Sequence, residues 1–297
     1  MSLATKFGNL DVYLSFDHSQ LEIRVLAQMS GDKLLTDLIQ SGEDIHSAVG
    51  HELTGISIEK IKKDRDTRTA VKGIHFGIIY GLTAKSLFAR LKADAAERHQ
   101  QFDMSFEDVE RLYNRYFDRF AGVKKWLEEQ VAFAMEHGYS KTMFGFKREI
   151  SQVADEDRTT FWRNQAVNSP IQGTAHQLLL ISLAIVEMKK QTYNLWQRMC
   201  MEIHDSLVTY VMLTNLPAAY KQGVYLLETD TLEYVKRHWP KIAWKIPLKA
   251  EAKVGFRMGV LVEGYAGGSI DEFIENWCIK NREFEKKMKK QMQEDLV

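Results

Sequence analysis

Leu10, Val12, Leu14 and Phe16 fall on one parity, and Asp11, Tyr13 and Ser15 on the other. That period of two predicts a half-buried strand. Asp17 ends it on the polar parity, and Leu21, Val25 and Leu26 then take up helical spacing. Met201-Glu-Ile before His204-Asp205 and Leu207-Val-Thr-Tyr-Val211 after it predict a hairpin with Asp205 at its bend. Between these stretches the pattern is helical. Asp32 to Gln40 reads as a helix broken by Ser41-Gly42, and Thr54-Gly-Ile-Ser57 as a loop. Ile58 to Lys92 is helical and basic; Gly77 and Gly81 each cost it roughly 1 kcal/mol relative to Ala, and Gly81 is expected to end a helix. Ser105-Phe-Glu-Asp108 reads as a capping box opening a long helix with Val109, Leu112, Tyr113, Tyr116, Phe117 and Phe120 on its core stripe. A second helix runs to Glu136 and stops at His137-Gly138. After a polar break at Asp155-Glu-Asp-Arg158, helix is expected through Gln177 to Lys190, and again over 216–238. The tail from Ser269 reads as a charged helix with Phe273, Ile274, Trp277 and Phe284 on one side. The chain has no internal repeat.

Two features carry chemistry. A carboxylate at a strand tip is held in a fixed place. If the 201–211 hairpin lies beside the first strand, Asp17 and Asp205 meet. Two carboxylates about 4 Å apart repel by roughly 4 kcal/mol at an effective dielectric of about 20, which a divalent cation between them relieves. Oxygen ligands with substrate phosphates suit Mg²⁺. The alternative from these stretches alone is two unrelated surface turns with solvated aspartates. The second feature is Arg68, Lys72, Phe76 and Tyr80, spaced by four. Each step of four turns an α-helix only about 40° past one full turn, so all four share a face. Cations at one end and aromatics further along can hold phosphates and stack on sugar and base; an amphipathic helix with a basic end is the plainer reading.

Composition narrows the class. The 297 residues, 45% hydrophobic and 27% charged, are those of an ordinary globular protein. No apolar run of transmembrane length is expected, and no basic-then-apolar leader stands at the start. Cys200 and Cys278 are the only cysteines and lack metal-ligand spacing, which fits a reducing compartment. The formal net charge is zero, so any nucleic-acid surface has to be a local basic patch.

Arg68-Thr-Ala-Val-Lys72-Gly-Ile-His-Phe76-Gly-Ile-Ile-Tyr80-Gly81, together with Asp17-His-Ser-Gln-Leu-Glu-Ile-Arg24 and Glu202-Ile-His-Asp-Ser206, resembles motifs B, A and C of the family A (DNA polymerase I-like) DNA polymerases. Glu43-Asp-Ile-His46, Thr142-Met-Phe-Gly145-Phe-Lys-Arg148, Asn168-Ser-Pro-Ile-Gln-Gly-Thr174 and Ile246-Pro-Leu-Lys-Ala-Glu251 extend the resemblance in order, from about residue 10 to about 257. It implies an α+β right-hand polymerase palm, a small antiparallel sheet with packed helices, plus a helical fingers subdomain. The expected division is palm over 1–40, mainly fingers over 41–150, palm over 151–265 and a C-terminal helical extension over 266–297. It implies template-directed DNA synthesis, with a dNTP joined to a primer 3′-hydroxyl by two Mg²⁺ ions, for which Mn²⁺ can substitute. Asp17, Asp205 and the His18 carbonyl would hold the metal, and Lys72 would stand where a proton reaches the departing pyrophosphate. Gln20, Glu22, His46, Arg68, Lys72, Phe76 and Tyr80 would bind the dNTP; Glu22 with Phe76 would close the space for a ribose 2′-hydroxyl. Arg163, Asn168, Gln172 and His204 would contact DNA at the primer terminus and in the minor groove, where acceptors are nearly the same for every correct pair.

The sequence departs from the family in three ways. Ser206 follows the motif C aspartate where the family usually has Glu. Asn164 stands four residues before Asn168 where an arginine is usual, with Arg163 one place early, and Phe146 also replaces a common arginine. The chain opens almost at motif A, so thumb, exonuclease and the first part of the palm are expected outside it. That predicts a split or truncated polymerase whose thumb and remaining palm come from a second chain, acting on primer-template DNA and dNTPs without a membrane, in the cytoplasm of a bacterium or a virus-infected host cell. The competing expectation is a non-catalytic polymerase-like subunit that binds primer-template or a replisome partner.

Overall fold

A computed structural model describes residues 11–63, 65–97, 99, 101–150, 159–189, 198–203, 206–256, 262–263, 267–277 and 279–282. The alternation at the start forms β1 (Asp11–His18), with Val12, Leu14 and Phe16 fully buried on one face. The other face is partly covered, since Ser15 is buried and Tyr13 meets its cross-strand neighbour Tyr210 edge-on at 4.4 Å. β1 is central in an antiparallel sheet of order β4-β5-β1-β6-β7, with β4 (Arg198–Ile203), β5 (Ser206–Met212), β6 (Ala250–Gly255) and β7 (Val262–Glu263). The chain divides into two compact units.

The first unit holds this sheet, residues 176–240 and the chain from Leu248. Its core gathers Val12, Leu14 and Phe16 with Leu207, Val211, Ala252 and Val254 of the sheet. Helix α10 (Leu216–Tyr225), a π-helical turn over Leu226–Asp230, and α11 (Thr231–His238) make up the helical run expected over 216–238. α10 lies so close to the sheet that a Cβ on Gly223 would come within 2.1 Å of the Phe16 ring. Phe273 and Ile274, in a helical stretch over 270–277, are buried in the same core with Trp277 against it. Phe284 lies outside the described residues, as does the break at 155–158.

The second unit, residues 21–175 and 241–247, is helical apart from one hairpin. It contains α1 (Leu21–Ser30), α2 (Lys33–Gln40), α3 (Ile45–Thr54), α4 (Ile58–Lys63), α5 (Arg65–Ile79), α6 (Ala84–Glu97), α7 (Phe106–Arg119) and α8 (Ala121–His137), then β2 (Tyr139–Lys141) and β3 (Lys147–Glu149). Capping explains the boundaries. Asp32 caps α2 and, through its other oxygen, accepts the Gly122 amide at the start of α8 at 2.8 Å. The capping box at Ser105 is present, and Gly55 and Gly138 close α3 and α8 in the left-handed conformation. Gly81 at φ +74° ends α5, with Leu82 N bonded to Gly77 O. Gly73 and Gly77 have a packing reason to be glycine: a Cβ would lie 2.7 Å from Leu91 and 2.5 Å from Leu87 of α6.

Helix α9 (Thr159–Lys189) passes through the division, which falls after Gln20 and after Ala175. It also corrects the expectation that no apolar run reaches spanning length. Its 28-residue stretch Trp162–Lys189 is long and apolar enough, by length and composition alone, to cross a membrane. Many of its apolar residues pack within the protein, with Trp162, Ala166, Val167, Ile171, Leu178, Leu179, Ile185 and Val186 buried, while Leu180 and Met188 are exposed.

Candidate active site

In the first unit, β1 and β5 pair antiparallel with Asp17 opposite Ser206, and β4 pairs with β5 with Ile203 opposite Ser206. The hairpin expected from the sequence is therefore present and lies beside β1. His204 and Asp205, between the two strands in sequence, lie outside the described residues. On the other side of β1, Asp17 is opposite Glu251 of β6. The turn after β1 is tied to β6 by Ser19, whose N–H donates to the Lys249 carbonyl at 2.8 Å and whose Oγ donates to Glu251 Oε1 at 2.7 Å. Gln20 completes the turn at φ +55°, a left-handed conformation uncommon for a side chain of this kind. Like charges directly opposite in a sheet are destabilising, and the Asp17–Glu251 pair suits a cation nearby. The donors here are carboxylate oxygens, which fit a hard ion such as Mg²⁺. Among the described residues no three His, Cys, Asp or Glu side chains converge on one point, so a metal at Asp17 would need donors beyond these.

In the second unit, α5 presents the predicted face. Phe76 and Tyr80 stack at 6.0 Å, and the Lys72 ammonium lies 5.6 Å from the Phe76 ring centre. Arg68 does not stand free. Its Nε and Nη2 donate to both oxygens of Asp44 at 3.1 and 2.7 Å, a bidentate fork. Asp44 is also the N-cap of α3 and accepts from the Ser47 amide at 3.0 Å. Burial works against its charged form, but the bonds from Arg68 and Ser47 prevail and hold its carboxyl well below the usual range. His46 is buried, 5.6 Å from Phe76. Burial, with help from Lys72 and Arg68 and against Asp44, lowers its pKa to about 4, so it is neutral at pH 7. Behind it His75 and Tyr116, fully buried, extend the ring cluster at 5.8 and 5.6 Å.

Glu22 and Tyr80 form the contact that the sequence did not reveal. The Tyr80 hydroxyl donates to Glu22 Oε2 at 2.9 Å. Burial first, then the Glu22 charge, pushes the phenol up to about 12, so it stays protonated. Gln172 hydrogen-bonds to the same phenol, and Asn168 Nδ2 donates to the Tyr80 carbonyl at 3.5 Å. Glu22, Phe76, Tyr80, Asn168 and Gln172 are thus brought together. Arg163 is on the same helix, α9, as Asn168 and Gln172. It lines a cavity of about 440 Å³ with Tyr113, Phe117 and Lys124, while Asn164 is the side chain beneath Gly81. The spacing 164, 168, 172 sets Asn164 on the Asn168 face of this helix, as the sequence already indicates.

The family model for DNA polymerase family A matches residues 4–259. The chain belongs to DNA polymerase family A. Family members similar to it include the DNA polymerase of Bacillus phage SP01, 31% identical over 98% of this chain and 30% of the phage protein. DNA polymerase I of Caldicellulosiruptor bescii is 30% identical over 82% of this chain and 26% of its own length. Among solved structures of the family, the POL domain of Pol1 from M. smegmatis, in complex with DNA primer-template and dNTP, matches with a TM-score of 0.70 and 25% identity over 84% of this chain and 40% of that one. The chain therefore spans about a third of the length of these family A relatives. The mixed helical and antiparallel-sheet architecture is that of a family A polymerase domain.

Proposed function

We propose that this chain carries the nucleotidyl-transfer site of a DNA-directed DNA polymerase, adding dNTPs to the 3′-hydroxyl of a primer on template DNA. The observation that carries the reading is the β1–β5 register, which sets motif A's Asp17 opposite Ser206, the residue after Asp205. Asp17, the His18 carbonyl and Asp205 would hold two divalent cations, which when bound activate the primer hydroxyl and neutralise the triphosphate. The protein's own groups do the rest. Lys72 attracts the triphosphate and supplies a proton to pyrophosphate as it leaves. Arg68 contributes charge to the triphosphate region, oriented by Asp44. His46 enters as a neutral ring able to donate one hydrogen bond, and Gln20 contacts the nucleotide from the turn after β1. Phe76 and Tyr80 form the stacking wall for sugar and base. Glu22, fixed by Tyr80, excludes a 2′-hydroxyl. Asn168 and Gln172, joined to Tyr80, test the minor groove of the nascent pair, with His204 near the primer terminus. The remaining length of the related polymerases would come from the same protein or from a second chain.

A second reading is a polymerase-like subunit that binds primer-template without catalysis. Ser206 in place of a carboxylate, and an Arg68 already engaged by Asp44, favour it. Primer extension separates the two: incorporation that disappears in Asp17→Ala supports the first, and binding of primer-template without any incorporation supports the second.

A further inference from the structure

Three polar side chains are buried together in the second unit, and the reading above uses only one of them. His46 comes from α3, His75 from α5 and Tyr116 from α7. His46 is 2% exposed, and His75 and Tyr116 are 0% exposed. The His46 and His75 rings meet at 5.8 Å, nearly perpendicular at 80°, and the His75 and Tyr116 rings at 5.6 Å. Apolar rings flank both ends of the row. Phe76 lies 5.6 Å from His46, and Phe120 lies 4.6 Å from Tyr116, ring centre to ring centre.

His46 Nδ1, both ring nitrogens of His75 and the Tyr116 hydroxyl are buried without a hydrogen-bond partner among the described residues. A buried polar group left unpaired costs free energy. Apolar side chains of the same size would fill this space without that cost, so packing alone does not account for two histidines and a tyrosine here. Charge does not account for them either. Burial, helped by His46, lowers the His75 pKa to about 3, and burial pushes the Tyr116 phenol up, so both are neutral at pH 7. A neutral imidazole has one donor and one acceptor, and a phenol has one O–H to donate. The unpaired atoms therefore match as two hydrogen bonds, and the chain of bonds can run in either sense. When Tyr116 O–H donates to His75, and His75 N–H donates to His46 Nδ1, the His46 proton sits on Nε2. A phosphate oxygen can accept it there. In the reverse sense Nε2 would turn a lone pair towards an anion.

We propose that His75 and Tyr116 are positioning residues for the nucleotide: they form a hydrogen-bond relay that holds His46 in the Nε2–H tautomer towards the triphosphate. The rings stop short of hydrogen-bond contact, so each link closes by a small ring rotation or through one shared water. The proposal rests on the reading that His46 contacts the dNTP. Two measurements test it, and the first does not depend on catalysis. Nitrogen NMR of isotopically labelled histidine rings reads each tautomer. His46 should be in the Nε2–H form, and its Nδ1 resonance should move towards that of a non-bonded nitrogen in His75→Leu. Tyr116→Phe, which removes only a hydroxyl, should move the accepting nitrogen of His75 and serves if His75→Leu does not fold. Single-nucleotide insertion kinetics on primer-template read the consequence. Either substitution should raise KM for dNTP, His75→Leu by about three- to tenfold, the range of one net hydrogen bond, with kcat nearly unchanged. In a His46→Ala background neither should add anything, whereas a merely structural role would persist there. An Nδ1–H tautomer of His46, or ring resonances that the substitutions leave in place, overturns the relay whether or not the chain polymerises. A relay seen by NMR, with KM unmoved by either substitution in a chain that inserts dNTPs, overturns the positioning role and spares the functional reading. A wild-type chain that shows the relay but inserts no nucleotide overturns the functional reading, and the positioning role with it.

Discussion

Glu22→Ala is the substitution with the most informative consequence. In the folded chain the carboxylate is held by the Tyr80 hydroxyl at 2.9 Å, in a half-buried setting beside the stacked Phe76 and Tyr80 rings. On the proposed function, a ribonucleotide placed against that wall would bring a 2′-hydroxyl into space the carboxylate closes, and the hydroxyl would give up water without a matched partner. Protein data put such an unpaired buried hydroxyl at about 1–3 kcal/mol, which is roughly 5–150-fold in relative kcat/KM. Glu22→Ala should therefore lower discrimination between dNTP and rNTP by a factor in that range, mostly by raising rNTP incorporation. Single-nucleotide insertion kinetics with matched dNTP and rNTP read this directly. Tyr80→Phe keeps the carboxylate but removes its tether, and should lose part of the discrimination. Adding Tyr80→Phe to Glu22→Ala should lose almost nothing more, because the two residues act through one bond. Unchanged discrimination in Glu22→Ala, or additive effects in the double variant, would refute the argument.

Three further outcomes follow from named contacts. Phe76→Tyr places a hydroxyl on the stacking wall and should relieve strong discrimination against dideoxynucleotides, measured as the ddNTP/dNTP insertion ratio; equal ratios in both proteins count against it. Asp44→Asn keeps a capping side chain but removes the charged partner of Arg68, so it should cost about 0.5–1.5 kcal/mol at neutral pH, discounted because the pair is partly exposed. Asp44 has a folded pKa depressed below its ordinary 3.8, so its contribution is fully present above that value and fades as pH falls towards the folded pKa. Denaturant melts should thus show the wild-type advantage shrinking only below about pH 4; an advantage that grows there would be wrong in sign. Gly223→Ala gains about 1 kcal/mol of helix propensity but sets a methyl 2.1 Å from the Phe16 ring, and overpacking at about 1–3 kcal/mol or more should win. A net loss of about 2 kcal/mol by chemical denaturation is expected, and an unmoved midpoint would show that α10 does not pack as described.

What was legible in the sequence was what repeats locally. The period of two at Val12, Leu14 and Phe16 placed β1, and apolar residues flanking His204-Asp205 predicted the hairpin, whose pairing with β1 only the structure supplies. Spacing by four placed Lys72, Phe76 and Tyr80 on one face, and the capping box at Ser105 and the stop at Gly138 followed from residue chemistry. What escaped depends on residues distant in the chain. Asp44 pairs with Arg68 across 24 positions, and Tyr80 with Glu22 across 58; neither pairing leaves a periodic trace. The closeness of α10 to Phe16 gives no signal beyond a glycine inside a helix. Arg163 lines a cavity with Tyr113, about fifty positions away, which no local pattern announces. The division after Gln20 follows the packing of α1 with α8, a contact between residues about a hundred positions apart.

The central claim is that Asp17 and Asp205 serve one nucleotidyl-transfer site. Primer extension with Mg²⁺ and four dNTPs tests it most directly, using the chain alone and then with extract of its source cells, each repeated with Asp17→Ala and Asp205→Ala. The account predicts template-directed extension that both substitutions abolish. Primer-template bound but never extended in either setting, or extension that persists in Asp17→Ala, would contradict it.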